Sequence, residues 1–132
     1  MNFLISGCAG FIGYHLSNHL CKKYKNSKII GFDKHVFVCE NVREENHPRK
    51  CCSSKTKSNI KILFKKELEK YESINIRINS AGCLDFCEQG PTVVVYPESI
   101  WYSIKNPEKD IPEIVQKHLI NGKTIERCLI KL

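Results

Sequence analysis

Two cysteines with three residues between them in a glycine-flanked loop, Cys83 and Cys87, constrain this chain more than any other feature. They lie in the run S-A-G-C-L-D-F-C-E-Q-G-P-T-V-V-V-Y-P, residues 80 to 97. Ahead of the loop, Ile74, Ile76 and Ile78 alternate with Asn75, Arg77 and Asn79, the period-2 pattern of a half-buried strand. Behind it, Val93-Val94-Val95-Tyr96 reads as a short apolar strand. Two thiols are thus clamped between strands, with the peptide N–H groups of a glycine-rich turn free to point at sulfur. A buried metal centre needs both features, provided the rest of the chain supplies further ligands.

Composition sets the context in which those thiols act. The chain has 132 residues, enough for one domain, or one domain and a short appendage. Its 42% hydrophobic and 27% charged residues are the balance of a soluble globular protein. No apolar run approaches the roughly 18 residues of a membrane span. Met1-Asn2-Phe3 carries no basic residue, and glycines interrupt the apolar run behind it, unlike a secretory signal. A cytoplasmic location and no membrane partner are expected. In that setting eight cysteines point to metal binding rather than to disulfides. The net charge of +7 raises nucleic acid as a partner, but Lys and Glu interleave through residues 65 to 70. Such mixing describes a solvated surface, so no nucleic-acid partner is expected.

Residues 1–33 form a unit of another kind. Phe3-Leu4-Ile5 reads as a strand, and Gly7, Gly10 and Gly13 allow a tight turn into a helix. Ile12, Leu16, Leu20 and Tyr24 stand four apart along one face of that helix. Lys28 to Asp33 is a second strand ending in an acid, 20 residues after Gly13, where a ribose hydroxyl would be held. The stretch resembles the opening of the NAD-dependent epimerases and dehydratases, whose G-x-x-G-F-I-G motif is matched by Gly7, Gly10, Phe11, Ile12 and Gly13. By that resemblance Gly7, Gly10, Gly13 and Asp33 are half of an NAD site. The match stops at Asp33. That family also needs a full doubly wound sheet and a Tyr-x-x-x-Lys pair. The one such spacing here, Tyr24 to Lys28, falls at the end of the first helix. The expectation is a truncated Rossmann-like β-α-β segment with a vestigial half-site and no NAD-dependent activity. Cys8 and Cys21 read as packing thiols.

A new unit, residues 34–132, opens with the apolar strand His35-Val36-Phe37-Val38 and ends that strand at Cys39. Residues 40–58 are a polar loop carrying Cys51 and Cys52, and loops this long inside a domain are usually functional. From Asn59 to Tyr71 a helix is expected, with Ile60, Leu63, Phe64, Leu68 and Tyr71 as one stripe. After the Cys83/Cys87 loop, Ile100 to Ile104 should pair with Val93 to Tyr96. Asp110-Ile111-Pro112 is expected to open a last helix that Asn121-Gly122 ends. Cys128, in a strand-like Ile125 to Ile130, reads as a core thiol. The two cysteine loops follow neighbouring strands, so four thiolates are expected to converge on one spot. Such a set suits zinc or an iron–sulfur cluster. The C-x3-C spacing, with no C-x-x-C knuckle, favours the larger two-iron core.

The runs K-H-V-F-V-C, H-P-R-K-C-C, G-C-L-D-F-C-E-Q-G-P-T-V-V-V-Y-P-E-S-I-W-Y and I-P-E-I-V-Q-K-H-L-I-N-G closely resemble the thioredoxin-like [2Fe–2S] ferredoxins. The resemblance covers residues 34 to 132. It implies an α/β thioredoxin-like domain behind the truncated β-α-β segment, a [2Fe–2S] cofactor and one-electron transfer to redox partner proteins. It carries over Cys39, Cys83 and Cys87 as ligands. The fourth falls five residues after the His of His-Pro, at Cys52, with Cys51 beside it as the alternative. Related ferredoxins form homodimers, so Trp101 and Tyr102 read either as sheet core or as a dimer contact. Two further readings stand beside the electron carrier: a zinc-stabilised thioredoxin-like binding module, and an NAD-binding oxidoreductase fragment resting on residues 1–33.

Overall fold

The structure is a computed structural model that describes residues 2–5, 11–26, 28–31, 34–71 and 76–131. Asn2–Ile5 (β1) and Lys28–Gly31 (β2) pair in parallel, with helix Phe11–Lys23 (α1) between them in the chain. The stripe expected to pack along α1 is covered at one end only: Ile12 is 81% and Leu16 45% exposed, whereas Leu20 and Tyr24 are half-buried. A sheet of two four-residue strands offers too little apolar surface to cover all of it. Cys21 is exposed as well, contrary to its reading as a packing thiol.

The second sheet is built from Lys34–Cys39 (β3), Ile76–Ala81 (β4), Thr92–Tyr96 (β5) and Ile100–Ser103 (β6), in the order β4-β3-β5-β6. β3 and β4 run parallel, which requires a crossover, and helix Ile60–Leu68 (α2) lies in it. β5 returns antiparallel to β3, and β6 pairs with β5 as expected. Alternation decides the faces. Val36, Val38, Val93, Val95 and Tyr102 point into one core with Ile60 and Phe64 of α2 and with Ile111, Ile114, Val115 and Leu119. The opposite face carries aromatic rings: His35 stacks on Phe37 at 5.9 Å, and Phe37 meets the edge of Tyr96 at 6.0 Å.

Element ends depart from the sequence reading for local reasons. α2 starts where the Asn59 side chain accepts from the Ile62 N–H at 3.0 Å, and stops at Leu68 rather than Tyr71. The last helix (α3) opens at Pro107, not at Asp110. Proline suits the first helical position because its missing N–H is unneeded there. The Asp110 carboxylate instead reaches back to the Asn106 N–H at 2.8 Å. α3 runs regularly to Glu113 and continues with wider turns through Ile114–Ile120. Gly122, at a left-handed φ of 71°, closes it: its N–H reaches the His118 carbonyl at 2.8 Å. The final stretch is not a strand. It is a short 3₁₀ turn at Glu126–Cys128, after which Leu129 makes one antiparallel bridge to Tyr102. Cys128 is buried in the core as expected. Among the described residues no helix is long and apolar enough to cross a membrane.

Candidate metal centre

Because β3 and β4 are parallel neighbours, with Cys39 opposite Ala81, the loops that follow them leave from the same end of the sheet. One loop brings Cys51 and Cys52 to a 3₁₀ turn at Ser53–Lys55. The other carries Cys83 and sets Cys87 at the start of a second 3₁₀ turn, Cys87–Gln89.

The thiols meet as two pairs rather than at the single spot expected. Cys83 and Cys87 are 3.4 Å apart, sulfur to sulfur. Cys52 lies close enough to Cys39 for that thiol to raise its pKa, and its sulfur is 3.8 Å from the Thr92 hydroxyl. Among the described residues, no three Cys, His, Asp or Glu side chains come close enough to hold one metal ion. The pairs also differ in depth. Cys39 is 5% and Cys52 2% exposed, an inner pair; Cys87 is 2% exposed, but its partner Cys83 is at the surface. Two thiol pairs on adjoining loops fit a two-metal core, which takes two protein sulfurs on each metal.

The turn glycines act differently from the expectation. The N–H that points at sulfur belongs to Asp85, which donates to Cys83 at 3.4 Å from a left-handed φ of 62°. The Gly90 N–H goes to the Cys87 carbonyl at 3.2 Å. Gly90 matters through space: a Cβ there would sit 2.6 Å from the Cys52 sulfur.

Three cations cross from the first loop to the second, and the sequence reading missed all three. Arg49 pairs with Asp85 at 2.6 Å and with Glu88 at 2.5 Å. Lys55 donates to the carbonyls of Cys87 and Glu88. Arg43 Nη2 reaches the sulfurs of Cys83 at 3.1 Å and Cys87 at 3.5 Å. Their only signal in the sequence is a basic residue inside a polar, cysteine-bearing loop. The electrostatics follow the contacts. The Asp85 N–H, the neighbouring Cys87 thiol and Arg43 draw the Cys83 thiol below its usual range. Burial, ahead of repulsion from Cys83, pushes Cys87 up. Burial also lifts Cys52 to about 11, while Arg49 holds Glu88 at about 2.

Cys51 faces away from its neighbour. Its sulfur sits 3.1 Å from the Ser53 hydroxyl and lines a cavity of about 250 Å³ with Arg43, Glu44, Glu45, Lys50 and Ser54. Cys52 instead lines one of about 310 Å³ that includes Cys39. Tyr102 is wholly buried, which leaves it in the core; Trp101 is half-buried against Phe86, ring centres 5.2 Å apart. Gly7, Gly10 and Asp33 lie outside the described residues. Gly13 falls within α1, its carbonyl accepting from the Ser17 hydroxyl at 2.8 Å.

A mixed four-stranded sheet with its helices packed into one core, and paired thiols on the loops after two parallel strands, defines a thioredoxin-like protein with a cluster of thiols at one end of its sheet. The comparisons narrow the class. The chain is 37% identical over 99 residues to a 2Fe-2S ferredoxin of Aquifex aeolicus, spanning 74% of this chain and 88% of that one. It is 38% identical over 97 residues to a 2Fe-2S ferredoxin of Clostridium pasteurianum, spanning 73% and 94%. The solved thioredoxin-like [2Fe–2S] ferredoxin from Aquifex aeolicus matches with a TM-score of 0.69 at 37% identity, over 74% of this chain and 90% of that one. The chain belongs to the thioredoxin-like [2Fe–2S] ferredoxin family. A 39-residue stretch, 30% of the chain, is 59% identical to part of a dTDP-D-glucose 4,6-dehydratase from Dictyostelium discoideum and covers 9% of that protein. No protein-family model matches the chain.

Proposed function

We propose that this protein is a one-electron carrier that holds a [2Fe–2S] cluster on Cys39, Cys52, Cys83 and Cys87. The observation that carries the reading is the division of the thiols into an inner and an outer pair on the loops of a ferredoxin-family domain. When bound, the cluster supplies one-electron chemistry. The protein does the rest. Cys39 and Cys52 close the inner side against water. Arg49 and Lys55 hold the two ligand loops together. Cys83, at the surface, marks the edge at which redox partner proteins dock. The half-buried Trp101, beside Phe86, is available for a homodimer contact; nucleic acid and membranes are not partners in this reading. Residues 1–33 form a separate unit from 34–132, without NAD-dependent activity, and the protein works in the cytoplasm.

Anaerobic purification followed by iron and acid-labile sulfide assays tests this. About two irons and two sulfides per chain are expected, with a red-brown colour and a rhombic paramagnetic signal on reduction. A colourless protein with one zinc per chain after anaerobic reconstitution overturns it.

A further inference from the structure

We propose that Arg43 is a positioning residue that sets the reduction potential of the centre, by holding a positive charge and N–H donors on the outer thiolate pair. The proposal rests on the electron-carrier reading above and deepens it.

Arg43 leaves the inner strand four residues after Cys39 and swings across to the other ligand loop. There, Nη2 lies 3.1 Å from the Cys83 sulfur and 3.5 Å from that of Cys87. Its other end is pinned. Nη1 faces the His47 ring, 3.0 Å from Nε2 and 3.3 Å from Nδ1. A guanidinium can only donate, so a ring nitrogen of His47 accepts. The other two cations that cross between the loops are engaged elsewhere: Arg49 with two carboxylates, Lys55 with two backbone carbonyls. Among the described contacts, Arg43 has no carboxylate to neutralise it. Its charge is therefore presented to sulfur. Among the described residues the inner pair has no such cation: the groups that act on Cys52 are Cys39 and the main-chain N–H and hydroxyl of Thr92.

This asymmetry has a redox consequence. One electron enters, no bond forms or breaks, and the charge of a four-thiolate centre falls from about −2 to about −3. A fixed cation beside two of the sulfurs stabilises the second state more than the first, and N–H donors on sulfur act in the same direction. Arg43 thus raises the potential. It also favours placing the added negative charge on the outer side, toward the surface.

The test compares full-length, anaerobically reconstituted wild type with Arg43→Lys, Arg43→Gln and His47→Ala. Midpoint potentials are read by redox titration of the visible spectrum, alongside iron, sulfide and thermal midpoint. The expected result is a more negative potential for Arg43→Gln at wild-type iron content. Arg43→Lys, which keeps the charge but loses the fork, falls between. His47→Ala shifts the same way by less, because Arg43 loses its backstop. A variant that merely loosened the loop would change iron content and thermal midpoint without this ordering. Wild-type potential in Arg43→Gln overturns the proposal. Should Arg43→Gln hold no cluster, wild-type potentials in both Arg43→Lys and His47→Ala overturn it. A wild type without iron and sulfide removes the electron-carrier reading itself, a separate failure.

Discussion

Cys51 and Cys52 adjoin in the chain and are both nearly inaccessible, at 4% and 2% exposure, yet one peptide step turns them into different surroundings. Cys52 faces Cys39, beneath a glycine that leaves room for its sulfur. Cys51 faces the Ser53 hydroxyl and a cavity with mixed charge at its rim. The expected outcome follows from those directions. Cys52→Ala removes one of the proposed ligands, and the visible absorption of reconstituted protein is lost. Cys51→Ala keeps that absorption and costs on the order of 1 kcal/mol, for a small buried group removed from a packed site. Visible spectra and urea denaturation of the two variants decide it; the opposite pattern moves the fourth ligand to Cys51. The His-Pro spacing favoured Cys52, but spacing alone could not show which way either thiol turned.

α3 couples the helix layer to the sheet through a buried polar contact that apolar periodicity does not mark. The Tyr102 hydroxyl and His118 Nδ1 are 2.8 Å apart, and the Ile125 N–H donates to the same hydroxyl at 3.3 Å. Burial pushes the tyrosine up to about 12. Burial, helped by the nearby Lys34 and opposed by Glu98, pulls His118 below its ordinary 6.5. The sign of the effect is fixed by proton binding. Below 6.5 the unfolded chain takes up a proton on this histidine that the folded chain still refuses. Its contribution is therefore complete above that range and is lost as the pH falls through it. Thermal midpoints measured between about pH 7.5 and pH 5.5 are expected to drop for the wild type. The drop is smaller for His118→Gln, whose side chain does not titrate. Equal slopes in both proteins count against the assignment.

At the scale of the molecule, the strands among the described residues pair in two sheets, one made before residue 34 and one from it onward. β1 pairs with β2, and every strand of the second sheet lies at or after Lys34. All four proposed ligands lie beyond that boundary. Deleting residues 1–33 is therefore expected to leave iron content and reduction intact. The full-length chain is expected not to bind NADH with useful affinity. A half-site leaves the nicotinamide and second ribose in water, without the contacts that offset the cost of immobilising a ligand. Calorimetric titration of NADH into both proteins checks this. Micromolar binding that disappears with the deletion would make the first 33 residues a working site.

Local pattern carried much of this fold. The alternation of Val36 and Val38 and the run Val93 to Tyr96 mark strands β3 and β5, because burial of one face imposes period 2 on nearby residues. The Ile60 and Phe64 stripe marks α2 for the same reason at period 3.6. The family resemblance pointed to Cys39, Cys83 and Cys87 as ligands. What the sequence left open depends on residues far apart in the chain. Arg43 lies 40 residues from Cys83, and Cys52 meets a thiol on another element. The parallel pairing of β3 with β4 brings the two loops to one end of the sheet, and only then do the thiols divide into inner and outer pairs. Likewise, the stripe on α1 has the right period but too small a sheet to bury it, so Ile12 stays in water. Periodicity states which side chains seek burial; the tertiary structure decides which of them find a partner, because that partner comes from a distant part of the chain.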